Sequence, residues 1–165
     1  MASIGIFYGS TGGNTESAAK AIAKALGDAA THDVAKATAQ DFGQYDRLIL
    51  GTSTWGEGDL QDDWDDLLPT LDAVAWQNKT VAFFGLGDQE GYDAEFVNAM
   101  GTLYDFVSAR GAKTIGRWPN EGYSHSDSTA IRDGAFVGLA LDEDNQSDLT
   151  DERIAAWTAS LSGQW

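Results

Sequence analysis

The chain has 165 residues, no cysteine, and a formal charge of −16 from 26 acidic and 10 basic side chains. That length is most simply one domain spanning residues 1–165, and the missing cysteines exclude disulfides, thiolate catalysis, Cys-ligated zinc and iron–sulfur clusters together. The acidity repels nucleic acid and anionic membrane surfaces, no run of about 18 apolar residues is present to span a bilayer, and "MASIGIFYGS" lacks the marks of a secretion signal, so a soluble, cytoplasmic monomer is expected.

The first apolar run, "SIGIFY", reads as a buried strand. After the loop "GSTGGNTES", Ala18, Ile22 and Leu26 recur at helical spacing. "THDVAKATA" is a less regular strand candidate that brings the count to five, and "RLILGT" is the third in order. Leu60, Trp64, Leu67, Leu68 and Leu71 follow as a helical face, then the strand "KTVAFFGL", then a second helical face at Phe96, Met100, Leu103, Tyr104 and Val107. "AKTIGRW" supplies the last strand. The polar, glycine-dotted segment from Trp118 to about Ala135 reads as a loop inserted beside or into that strand, ending in "AFVGLAL", and Ile154, Trp157 and Leu161 mark a closing helix. Strands alternating with helices predict right-handed βαβ units, hence an α/β fold of three layers with a doubly wound parallel sheet.

In such a sheet ligands sit beyond the carboxyl ends of the strands. The loop after the first strand occupies that place, and its backbone N–H groups, with those of the following helix start, form an anion site. Gly9, Gly12 and Gly13 admit close approach, while Ser10, Thr11, Asn14 and Thr15 add neutral donors. The loop lacks the Gly-Lys-Ser/Thr ending of a P-loop and is not G-x-G-x-x-G, and no acid closes the second strand candidate, which leaves a terminal monophosphate as the occupant. A ligand-free glycine-rich turn is the plainer alternative for this loop alone.

Two further loops at the same sheet edge each hold an aromatic residue. Trp55 stands among Thr54, Gly56, Glu57 and Gly58, and Tyr92 closes the stretch that opens with Gly87, Asp88 and Gln89. Neither belongs to an apolar period, so the pair is expected to sandwich a flat ring, whereas Trp64, Trp76, Trp118 and Trp157 have core surroundings. His32 and His125 have no partner at ligand spacing and are expected at the surface. Between Arg47 and Arg110 the only cation is Lys79, against a dozen acids. That imbalance suits either a solvated face or a docking surface.

At these motifs the chain resembles the long-chain flavodoxins: "GSTGGNTES", "TWGEGDLQDDW", "FFGLGDQEGY" and "GAFVGLALDEDNQSDLTDERI" fall in that family's order and spacing. The resemblance implies the strand order 2-1-3-4-5 and a low-potential one-electron carrier with non-covalently bound FMN, shuttling between semiquinone and hydroquinone. It implies that Ser10, Thr11, Gly13, Asn14 and Thr15 hold the phosphate, that Trp55 and Tyr92 cover the ring, and that Asp88 and Gln89 meet its pyrimidine edge. Gly12 stands where the family usually has threonine, so one hydroxyl bond of about 1 kcal/mol is absent. Gly56 and Glu57 are placed to turn a peptide toward flavin N5. The acids Glu57, Asp59, Asp88, Glu90 and Asp93 oppose a second electron. Basic-surfaced redox proteins, a reductase and an acceptor enzyme, are expected to dock on the acidic face around residues 57–72 and 88–95. The alternative is a flavin-dependent quinone or NAD(P)H oxidoreductase of the same fold. A phosphoacceptor receiver domain is disfavoured, because "GST" and "GTST" stand where it needs acids.

Overall fold

All six residues of β1 (Ile4–Gly9) are buried, as a strand in the middle of a parallel sheet requires when helices cover both faces. In the computed structural model, which describes residues 2–165, β1 pairs in parallel with β2 (Ala29–Asp33) on one side and β3 (Arg47–Trp55) on the other. Beyond its carboxyl end β3 turns back as the short antiparallel β4 (Asp59–Leu60). Its far side pairs in parallel with β5 (Thr80–Leu86).

The last position in the sheet is filled in two pieces. β6 (Lys113–Thr114) pairs with the start of β5. The chain then leaves for a separate antiparallel sheet of β7 (Trp118–Pro119), β8 (Ile131–Arg132) and β9 (Ala135–Phe136). It returns as β10 (Leu139–Leu141) against the end of β5. The path β2-β1-β3-β5-β10 is the expected 2-1-3-4-5 order with its fifth strand split by the inserted loop.

Two strand boundaries differ from expectation. "AKTIGRW" does not continue as one strand, because Gly116 at φ 81° turns the chain aside and Trp118 crosses to the small sheet. "THDVAKATA" is strand only through Asp33, so an acid does close this strand, contrary to expectation, but its Oδ1 accepts the Ala35 N–H at 2.9 Å and starts a 3₁₀ turn over Val34–Lys36.

Alternate strand residues serve opposite cores. Ile4, Ile6, Tyr8 and Ile49 pack on the side of α1 (Asn14–Leu26), while Phe7, Leu48 and Leu50 pack with Phe42 of α2 (Ala39–Gly43) and Trp64 of α3 (Asp62–Leu67). The second core also takes Met100, Leu103 and Val107 of α4 (Asn98–Ser108), and the first takes Ile154, Trp157 and Leu161 of α5 (Thr150–Leu161). Trp64, Trp76 and Trp157 are fully buried, each donating its indole N–H to a backbone carbonyl, of Gly51, Leu71 and Gly116 respectively. With its polar atom thus satisfied, each indole contributes about 5 kcal/mol of transfer free energy.

The histidines are half-buried. His32 stacks on Phe7 with ring centroids 4.6 Å apart and bonds Tyr45 Oη at 2.7 Å. His125 stacks on Phe96 at 5.3 Å. Both imidazoles are drawn in because their flat faces complete aromatic clusters.

Candidate functional site

A cleft of about 250 Å³ opens over the carboxyl ends of the central strands. It lies where the connections from β1 and β3 diverge to opposite faces of the sheet. Gly12, Asn14 and Thr15 line one part, Ser53, Thr54, Trp55 and Gly56 the next, then Leu86, Gly87, Asp88 and Tyr92, and finally Glu143 and Asp144.

At one end α1 begins with Gly13 in the left-handed region, φ 93°, and no side chain caps it. The N–H groups of its first turn therefore face outward without a protein acceptor. A Cβ placed on Gly12 or Gly13 would meet nothing within 4 Å, so the space before these donors is open. Ser10 Oγ accepts the Gly13 N–H at 3.1 Å, Thr11 Oγ1 accepts from Gln61 Nε2 at 3.2 Å, and Thr15 is buried. An uncapped helix start with hydroxyl donors around it suits an anion of phosphate size.

At the other end stand Trp55 and Tyr92, the two large hydrophobic side chains left exposed among the described residues, at 48% and 52%. The indole N–H of Trp55 donates to Ser53 Oγ at 2.8 Å, which fixes the ring plane. Trp55 ends β3 at a hairpin closed by the Gly58 N–H on the Trp55 carbonyl at 3.1 Å, with Gly56 at φ 52° and Gly58 at φ 96°. Thr54 Oγ1 accepts the Ala99 N–H at 3.1 Å and ties the same strand end to α4. Glu57 is exposed at the hairpin tip, and neither it nor Gly58 lines the cleft. Two aromatic rings on one slot, one of them locked in orientation, suit a flat conjugated ligand.

The loop after β5 is held by its own carboxylate. Asp88 Oδ1 accepts the N–H groups of Glu90 and Gly91 at 3.1 and 2.8 Å and the Asn145 amide at 2.8 Å. The Gly91 bond first, then Asn145, hold the Asp88 carboxyl below its ordinary range. The Gln89 side chain is buried and turned inward, donating to Asp142 Oδ2 at 2.7 Å while its Oε1 accepts the Ser124 N–H at 2.5 Å. One N–H of its amide and its amide oxygen are thus engaged within the protein.

Sequence reasoning missed Ser53, Leu86, Glu143 and Asp144. The two acids sit inside the quoted "GLALDEDNQSD", and their place in the site depends on β10 returning to the sheet beside β5. Burial raises the Asp144 carboxyl, and the charges of Asp88, Asp142 and Glu143 raise it further. Among the described residues no Lys, Arg or His lines the cleft. Lys79, the one cation of the acidic stretch, is buried with its Nζ donating to the Tyr45 carbonyl, and burial lowers its pKa.

Comparison with known proteins agrees with this geometry. The sequence profile described as "Flavodoxin" matches residues 6–157. The chain is 51% identical over 164 residues to a flavodoxin of Nostoc sp., covering 98% of this chain and 96% of that one. It is 48% identical over 165 residues to flavodoxin 1 of Escherichia coli, covering 98% and 94%. The crystal structure of Fusobacterium nucleatum flavodoxin bound to flavin mononucleotide superposes with a TM-score of 0.94 at 32% identity, covering 100% of this chain and 99% of that one. Profile, identity and fold coincide over nearly the whole length, and the chain belongs to the flavodoxin family.

Proposed function

We propose that this chain binds FMN non-covalently in the cleft and carries electrons one at a time from a reductase to an acceptor enzyme. The observation that carries the reading is the convergence of exposed Trp55 and Tyr92 on one slot whose far end is the uncapped start of α1. FMN supplies, when bound, a conjugated ring that takes up and returns electrons singly. The chain supplies the rest. Ser10, Thr11, Gly12, Gly13, Asn14 and Thr15 take the phosphate through neutral donors, and Trp55 and Tyr92 cover the two faces of the ring. Thr54, Gly56, Gly87 and Asp88 shape its edges, while Glu57 and Gly58 complete the hairpin that presents Trp55, and Gln89 acts from beneath. Asp88, Glu143 and Asp144, with no cation among them, oppose added negative charge and favour a strongly reducing carrier.

Covered ring faces and a cleft lining without Lys, Arg or His among the described residues disfavour a quinone or NAD(P)H oxidoreductase, which needs room for substrate above the ring. The partners are basic-surfaced redox proteins that dock on exposed acids of the two ring loops and α3, among them Glu57, Asp59, Asp62, Asp65, Glu90 and Asp93. Among the described residues no helix is long and apolar enough to cross a membrane, and the absence of cysteine suits a reducing cytoplasm. A single domain working as a monomer completes the reading.

Titrating the purified, flavin-free protein with FMN tests it. The expected result is stoichiometric quenching of flavin fluorescence at a one-to-one ratio, with the protein eluting as a monomer. Persistent flavin fluorescence at micromolar protein and FMN would overturn it.

A further inference from the structure

We propose that Gln61 is a positioning residue that aims the Thr11 hydroxyl outward as a hydrogen-bond donor to the phosphate; the inference rests on the phosphate site proposed above. Gln61 is 1% exposed, at the start of α3. Its Oε1 faces two backbone donors, the N–H groups of Asp63 at 3.0 Å and Trp64 at 3.3 Å. Only an oxygen can accept both, so the other end of the amide is the NH₂ group. That group donates to Asp63 Oδ2 at 2.7 Å and to Thr11 Oγ1 at 3.2 Å.

A hydroxyl that accepts from an amide turns its own hydrogen away from it. Thr11 is exposed and forms no hydrogen bond as a donor with any described residue, so its hydrogen, turned away from Gln61, is available to a ligand at the loop. Without Gln61 the hydroxyl is free to rotate and loses that bias. The link is also rigid. A Cβ added to Gly9, immediately before the loop, would lie 2.6 Å from Trp64 Cδ1 and would overlap Gln61 Oε1. The amide is therefore packed against the backbone that enters the loop. Because Gly12 brings no hydroxyl, the loop has one side-chain donor fewer, and the orientation of Thr11 carries correspondingly more of the binding.

The test compares FMN with riboflavin, which has the same ring and no phosphate. Gln61→Leu removes the donor and the acceptor, and Gln61→Glu keeps an acceptor for α3 while removing the donor. For both variants the dissociation constant of FMN is expected to rise at least about threefold, as for a hydroxyl freed among its three staggered wells. That of riboflavin should stay within about twofold. In a Thr11→Val background the further Gln61→Leu change should weaken FMN by less than about twofold. Equal losses for FMN and riboflavin, or an undiminished loss in the Thr11→Val background, would overturn the role of Gln61. If Gln61→Leu does not fold, Gln61→Glu decides by the same comparison in the Thr11→Val background, where its added charge still acts on the phosphate but the link to Thr11 is gone. Failure of the unsubstituted protein to prefer FMN to riboflavin would instead overturn the phosphate site itself.

Discussion

The buried carboxyl group of Asp142 accepts both the backbone N–H and the side-chain amide of Gln89, at 3.2 and 2.7 Å, and so ties the loop carrying Tyr92 to the end of β10. The same group accepts the N–H groups of Asp144 and Asn145 at 3.1 Å each, and Asn145 Nδ2 bridges it to Asp88. Asp142→Asn would turn one acceptor into a donor facing other donors. We expect a loss of about 2–4 kcal/mol in urea unfolding of the FMN-free protein. FMN affinity should fall by about tenfold or more, since two cleft loops lose their common anchor. Unfolding unchanged to within about 0.5 kcal/mol would show that the group anchors nothing.

Trp55 and Tyr92 make the opposite prediction, because both are already half in water. Replacing either by Ala should change stability of the FMN-free protein by less than about 0.5 kcal/mol. Stacking on a flat heterocycle is worth about 1–3 kcal/mol, so each change should weaken FMN binding by roughly 5- to 150-fold. Ser53→Ala should show a smaller loss of the same kind, as the indole gains freedom to swing. A large stability loss with unchanged FMN affinity would make these aromatics packing residues.

At Gly56 the backbone has φ 52°, and a Cβ there would sit 2.9 Å from Asp59 Oδ2. Proline fixes φ near −65° and cannot adopt this turn. Gly56→Pro should therefore move the peptide between Gly56 and Glu57 away from the ring edge. The two one-electron potentials of the FMN-loaded protein should then draw closer together, and a spectroelectrochemical titration would read this directly. Unchanged potentials would separate the hairpin from redox tuning.

The fold was legible where residues report local needs: β-branched runs for buried strands, apolar spacing for α1, α4 and α5, glycine and hydroxyls for the loop after β1. Trp55 and Tyr92 stood out because nothing apolar flanks them. Long-range geometry hid the rest. Gln89 looks like any polar loop residue until Asp142, 53 positions away, is brought beneath it. His32 and His125 look solvent-facing until Phe7 and Phe96 arrive to stack on them. Glu143 and Asp144 join the cleft only because the fifth strand resumes at Leu139 after the inserted loop.

Electrostatics near the ring can be tested without touching the fold. Glu57, Asp59 and Asp93 are exposed, so their charges act through partly screened solvent. Converting all three to their amides should raise the second one-electron potential by roughly tens of millivolts at low ionic strength. The shift should shrink as salt is added, and stability should hardly move. A salt-independent shift would point to altered contacts instead of charge.

His125 links the inserted loop to pH. Its ring packs against both Phe96 and Phe136, Nε2 bonds Asn120 Oδ1 at 2.9 Å, and buried Nδ1 has no partner among the described residues. Burial lowers its pKa below the ordinary 6.5, with Asp127 pulling weakly the other way. In the window below about 6.5 the unfolded chain therefore takes up the proton before the folded one. The stability tied to the neutral ring is complete above that window and is lost as pH falls through it. His125→Phe removes the titrating group and the unpaired nitrogen together, at the expense of the Asn120 bond. Near pH 7.5 the variant should match the parent to within about 1 kcal/mol. Its advantage in urea unfolding should then grow steadily toward pH 5, and parallel pH profiles for the two proteins would refute the coupling.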